Sequence, residues 1–151
     1  MRSRKAWGAA WLVGLFVAAV GASAAERPED AGQAAAESWL RLVDGGDYSG
    51  AWSQGAAHLK ATMKQGEWSQ TVGSARAPLG KHLSRRLKSR EYTEKAPTTR
   101  TIAGKVYTWG KGRYVVLEYE SAFAKKPSVG ETVVTMADPD GVWRVSGYTV
   151  Q

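Results

Sequence analysis

The 151-residue chain contains no cysteine, no asparagine and only two histidines, His58 and His82. Without cysteine it forms no disulfide and no thiolate zinc site. The two histidines are not at ligand spacing, so neither a metal nor another cofactor is expected. Without asparagine there is no N-glycosylation acceptor. Motifs that carry nucleophiles or phosphates are missing too: there is no G-x-S-x-G, no P-loop, no H-E-x-x-H and no G-x-G-x-x-G. Gly110-Lys111-Gly112 is half of such a pattern, and a hairpin turn explains it. The one apolar run, Trp11 to Val20, falls short of the roughly 20 residues a membrane-spanning helix needs.

That run has a telling context. Arg2, Arg4 and Lys5 precede it, and the small-x-small triplet Ala22-Ser23-Ala24 follows. This is the three-part pattern of a secretory signal peptide. The expectation is a leader at residues 1–24 and a single domain at 25–151, exported and periplasmic. With no cysteine after the apolar run, a lipoprotein anchor is excluded. The alternative is a retained inner-membrane anchor, and a membrane contact is expected only in that case. The formal net charge is +7, and three of those charges lie in the leader. A nucleic-acid binder shows a stronger, clustered excess, and export separates the chain from the genome, so no nucleic-acid partner is expected.

What the chain has is aromatic surface and a change of period. Seven Trp and six Tyr imply a well-filled core or a lined cavity. From Ala31 to Val43, the residues Ala36, Trp39, Leu40 and Val43 form one helical stripe, with Asp30 as N-cap and Gly45-Gly46 as the stop. Asp47 is placed to cap a second helix through Tyr48, Ala51 and Trp52, a face that Leu59 and Met63 extend. A third helix is predicted from Glu67 to Ala75, with Trp68, Val72 and Ala75 inward. Ala77-Pro78-Leu79-Gly80 breaks it. Beyond Gly80 the pattern alternates. In Arg113–Phe123, Val115, Leu117, Tyr119, Ser121 and Phe123 share a face, opposite Tyr114, Val116, Glu118, Glu120 and Ala122. Glu131–Met136 and Val142–Val150 are further strands, the last with Trp143, Val145, Gly147 and Thr149 on one side. Asp138-Pro139-Asp140-Gly141 is a turn; it lacks the further ligands of a calcium loop. Val106–Trp109 is predicted to form a hairpin with the strand from Tyr114, after a polar loop at Lys95–Gly104. Helices followed by antiparallel strands predict an α+β domain: N-terminal helices packed on a curved antiparallel sheet, cone-shaped, with a cavity between the layers.

The segment GKHLSRRLKSREY, Gly80–Tyr92, carries six Lys, Arg or His in thirteen residues. Read as a strand, it places Leu83, Arg85 and Leu87 on the core face. His82, Ser84, Arg86, Lys88 and Arg90 fall on the other. Four cationic members of that second face, His82, Arg86, Lys88 and Arg90, form a surface basic patch: a solvated sheet face or a site for an anionic partner. Arg85 stands apart, because a buried Arg needs a counter-charge. It either pairs with a carboxylate or binds the acidic group of a ligand through its planar fork. Arg85, Tyr119 and Trp143 are the ligand-pocket candidates, for a small acidic or apolar ligand; for Tyr119 and Trp143, inward by alternation, the first reading is core packing. Glu118 and Glu120 read as salt-bridge partners of the basic strand. No catalytic residue is assigned, because no Asp falls clearly on an inward face.

Four stretches, SWLRLVDGGDYSGAW, WSQTVGSARAPLGKHLSRRLKSREYT, YVVLEYESAFAKKPSVGETVVTM and DPDGVWRVSGYTV, resemble in order a bacterial family known as domain of unknown function 4019. More broadly, AAAESWLRLVDGGDYSGAW resembles the opening helices of the nuclear-transport-factor-two-like (cystatin-like) superfold. The resemblance implies the cone fold and export, and no known reaction. TIAGKVYTWGKG looks longer than the family's usual link into the YVVLEY strand. The function expected is a non-catalytic exported domain that binds a small ligand or a protein. Fold-level analogy adds a homodimer through the convex sheet face. Two alternatives follow from the superfold: an enzyme like the ketosteroid isomerases, using the cone cavity, or a membrane-tethered assembly component if the N-terminal segment is retained.

Overall fold

The computed structural model describes residues 25–97, 100–102 and 105–151. The expected leader at 1–24 lies outside the described residues, as does part of the loop expected at 95–104. Four helices come first: α1 (Pro28–Asp44), α2 (Tyr48–Ser53), α3 (Ala57–Thr62) and α4 (Gln65–Arg76). A 3₁₀ turn, Ala77–Leu79, leads to β1 (His82–Thr93), and the strands β2 (Arg100–Ile102), β3 (Lys105–Tyr107), β4 (Tyr114–Phe123), β5 (Lys126–Ala137) and β6 (Trp143–Val150) follow. The strands β1, β4, β5 and β6 form one antiparallel sheet in that order. The class is α+β, with helices laid against a curved, open sheet. Among the described residues no helix is long and apolar enough to cross a membrane.

α1 starts one turn earlier than the cap chemistry suggested. Pro28 occupies its first turn and Arg27 the cap position, with no side-chain cap. Proline is pre-set for that position because its missing N–H has no helical partner to lose. Asp30 lies inside the first turn, where its charge suits the helix dipole. Asp47 does cap α2, accepting from Gly50 N at 2.8 Å. Gly46, at φ 79°, adopts the left-handed conformation that ends α1. Gly32 lets α1 lie close on the sheet: a Cβ there would meet Val115 Cβ and Thr135 Oγ1 at 2.7 and 2.8 Å. Behind it, Ala36, Trp39, Leu40 and Val43 pack on Val115, Leu117, Val133, Val145 and Tyr148 to form the main core.

Three expectations are corrected. β3 pairs with β2, residue Lys105 opposite Ile102, rather than with the strand from Tyr114, so the loop expected at 95–104 contains a short strand. The face shared by Leu59 and Met63 is not a continuation of α2; a break at Gln54–Ala56 separates the two helices. In α4, Ala75 is exposed, and Arg76 takes the inner position with Trp68 and Val72.

β1 also departs from simple alternation. The register slips between His82 and Ser84 and again between Leu87 and Ser89. Each slip is a bulge, which reverses the faces of the residues beyond it. Leu83, expected in the core, is therefore 62% exposed. His82 and Arg90, expected on the wet face, lie opposite Phe123 and Leu117 on the helix side. A third slip beside Ser146 in β6 brings Tyr148 inward in place of Gly147 and Thr149.

Candidate functional site

Where the ends of α1 and α4 meet β1 and β5, charged side chains are gathered in the interior. Arg76, at the end of α4, is 5% exposed; Glu131, on β5, is 1% exposed. Arg76 Nη1 donates to Glu131 Oε2 and to Tyr148 Oη, both at 3.0 Å, and its Nη2 donates to Asp44 Oδ1. Arg85, on β1, donates from Nε to Glu131 Oε1 at 2.8 Å and from Nη1 and Nη2 to Asp44 at 2.8 and 3.0 Å. The hydroxyls of Ser121 and Tyr148 donate to Glu131 as well. Two cations thus face two anions, and the Glu131 carboxylate is bonded on both oxygens. Charges this deeply desolvated are tolerated only in such a balanced, hydrogen-bonded set. The guanidinium of Arg76 lies 4.5 Å from the Phe123 ring centre, a cation–π contact that the low-dielectric setting strengthens.

The electrostatics follow from this geometry. Burial disfavours the Asp44 carboxylate, but hydrogen bonds from Arg85 and Arg76 outweigh it and hold the pKa below the ordinary carboxylate value. Burial likewise opposes the charge of Arg85, and its bonds to Asp44 and the charge of Glu131 prevail, raising its pKa. Burial and the neighbouring Glu131 charge push the Tyr148 phenol up, so it remains a donor. His82 lies 3.5 Å from Asp44, yet burial and then the Arg85 charge lower its pKa.

The His82 and Asp44 shifts destabilise the fold in acid, in two windows. His82 has a folded pKa below its unfolded value, so the unfolded chain takes up its proton first. Its contribution is present above about pH 6.5 and is lost as the pH falls through the folded pKa. Asp44 keeps its contribution above about pH 4 and loses it as the pH falls through its depressed folded pKa. The urea midpoint should therefore drop in two stages between pH 7 and pH 3, and Asp44→Asn should flatten the lower stage. An unchanged lower stage in that variant would remove Asp44 from the account.

The remaining candidates are dispersed. Arg86 and Lys88 pair with Glu120 on the outer sheet face. Arg90 reaches α1, donating to Asp30 and Gln33 at 2.7 and 2.8 Å. With His82 beside Asp44, the four residues of the basic patch face two sides of the sheet and do not form one surface. Tyr119 is buried under α1, with no partner for its hydroxyl among the described residues. Burial raises its pKa, and Glu37 adds to that. It lies beside Arg85, whose guanidinium is 5.9 Å from its ring centre. Sequence reasoning missed Asp44, Arg76, Glu131 and Tyr148. Among the described residues, no three His, Asp or Glu side chains are grouped to hold a metal.

Trp143 stands elsewhere, in a cleft of about 280 Å³ between α1 and the start of β6. Trp39 and Val145 are buried beneath this cleft. Trp143 and the exposed Val142 form one wall, and Ser38, Gln54 and Arg144 bring polar groups to the lining. Trp39 is fixed by its Nε1 bond to the Ala51 carbonyl at 2.8 Å and by ring contacts with Trp68 and Tyr148. At the edge of β6, Ala56 N donates to Val145 O at 2.8 Å. A small cavity lined by Trp68, Trp109 and Thr149 measures about 30 Å³, room for a water or two.

A family model described as "Protein of unknown function (DUF4019)" matches residues 35–148, a span that includes the ion cluster and the cleft. No curated protein and no solved structure matches the chain.

Proposed function

The chain belongs to the DUF4019 family of proteins of unknown function, and from that premise we propose that it is an exported, non-catalytic domain that binds a small molecule between α1 and β6. The observation that carries this reading is the Trp-lined cleft of about 280 Å³, just below the range of about 300–1,000 Å³ for drug-sized sites and so suited to a small ligand. It is concave and apolar at its base, with a few polar groups around it, which is the usual composition of such sites. The ion cluster supports a non-catalytic role. A general base needs a free lone pair within reach of substrate, and Asp44 and Glu131 are each bound by two arginines. An isomerase-like reaction would need one of them released. The layout of helices on a curved sheet supports placement in the nuclear-transport-factor-two-like superfold.

Binding is tested by screening small neutral fragments against the ¹⁵N-labelled protein. Shifts are expected at Ala35, Ser38, Gln54 and Val142–Val145. Shifts confined to other parts of the fold would sink the reading. Export rests on the pattern in residues 1–24. The mass of the protein recovered outside the cytoplasm should correspond to a chain beginning at Ala25, and an intact Met1 would favour the tethered alternative.

A further inference from the structure

The same cleft carries information about the chemistry of its ligand. We infer that it takes a neutral saccharide ring, a proposal that rests on the cleft being the binding site. Three observations lead there. The first is charge. Arg144 is the one ionisable residue in the lining, and its guanidinium is already held by Asp138 at 3.0 Å and by both oxygens of Asp140 at 2.9 Å. An anionic ligand would have to compete with two carboxylates for that fork, and a cationic one would meet carboxylates already neutralised by it.

The second observation is the polar set. The Ser38 hydroxyl and the Gln54 amide line the cleft, and neither has a protein partner among the described residues. Together they offer donors and acceptors to a ligand bearing several hydroxyls. A pure hydrocarbon would desolvate those groups without replacing their water bonds, which is unfavourable. The third is the aromatic wall. Trp143 lines the cleft beside the buried Trp39, and an indole face is electron-rich. The C–H bonds on one face of a pyranose, polarised by neighbouring oxygens, pack against such a surface while the hydroxyls at the ring edge reach the polar lining. A single ring in an open cleft binds weakly, with a dissociation constant on the order of 1 mM.

Ligand-observed saturation-transfer NMR on the exported protein tests this. The probes are methyl β-glucoside, methyl β-galactoside and N-acetylglucosamine. Methyl β-glucuronide serves as the charged analogue, and cyclohexanol as a ring of similar size with one hydroxyl. At least one neutral sugar should bind. Trp143→Ala should weaken it at least tenfold, and the surface change Gln54→Ala about fivefold. The glucuronide should bind several-fold more weakly than the glucoside. Gln54 is exposed, so its variant keeps the test sound if Trp143→Ala does not fold. If cyclohexanol binds in a Trp143-dependent or Gln54-dependent manner and no sugar does, the cleft stands and the saccharide assignment falls. If no probe binds, or if binding is indifferent to both variants, the cleft itself is wrong and the saccharide falls with it.

Discussion

Replacing Glu131 by leucine is expected to lower the free energy of unfolding by about 3–5 kcal/mol, because it leaves two buried arginines facing one carboxylate. The gain in apolar burial from the leucine is smaller, about 1.5–3 kcal/mol for a fully buried side chain. It also does nothing for the Arg76 and Arg85 donors or for the Ser121 and Tyr148 hydroxyls that lose their acceptor. Against a typical total stability of about 5–15 kcal/mol, the loss is large enough to move a urea midpoint well outside error. The compensating variant is more informative. Arg76→Met combined with Glu131→Leu removes one cation and one anion and leaves the Arg85–Asp44 pair balanced. The double variant should be less destabilised than the sum of the singles, with a coupling in the range of about 0.5–3 kcal/mol for residues in one network. Strict additivity would show that the two side chains do not stabilise each other.

The cluster was only partly legible in the sequence, and the reasons are physical. Arg85 stands between two leucines in the sequence, and alternation places it on the side of Leu87 because no bulge lies between the two. The same alternation failed for Leu83 and for His82 and Arg90, which lie at or beyond the two slips. A bulge inserts one residue without changing composition, so a period-two pattern cannot locate it. Arg76 carried a usable signal: Trp68, Val72 and Arg76 recur at every fourth position along one helical stripe. Glu131 carried another, lying between Val129 and Val133 at the spacing of one strand face. Asp44 carried none. It is the last residue of α1, where caps and turns also call for an aspartate, and only the packing of α1 against β1 makes it a counter-ion. The outer face was easier: Glu120 opposite Arg86 follows from two strands in register.

The second large effect is expected at Trp39. Truncation to alanine should cost about 3–5 kcal/mol, the range for removing a buried Trp or Phe side chain. Trp39 is 3% exposed and joins the helical layer to the sheet. Its ring centre lies 5.6 Å from that of Trp68 on α4 and 5.4 Å from that of Tyr148 on β6. Each such aromatic contact is worth about 0.5–1.5 kcal/mol beyond the area it buries. Removing the indole also deprives the Ala51 carbonyl of its donor, so α1 loses a tie to α2. Alanine is the better helix former, but by no more than about 0.7 kcal/mol, too little to offset these losses. Trp143→Ala removes an indole that is only half-buried, so it should shift the urea midpoint less while having the larger effect on the cleft. The two substitutions thus separate the cleft's foundation from its wall. Equal stability losses at Trp39 and Trp143 would mean that Trp143 is a core residue first, and the case for the cleft as a binding site would weaken accordingly.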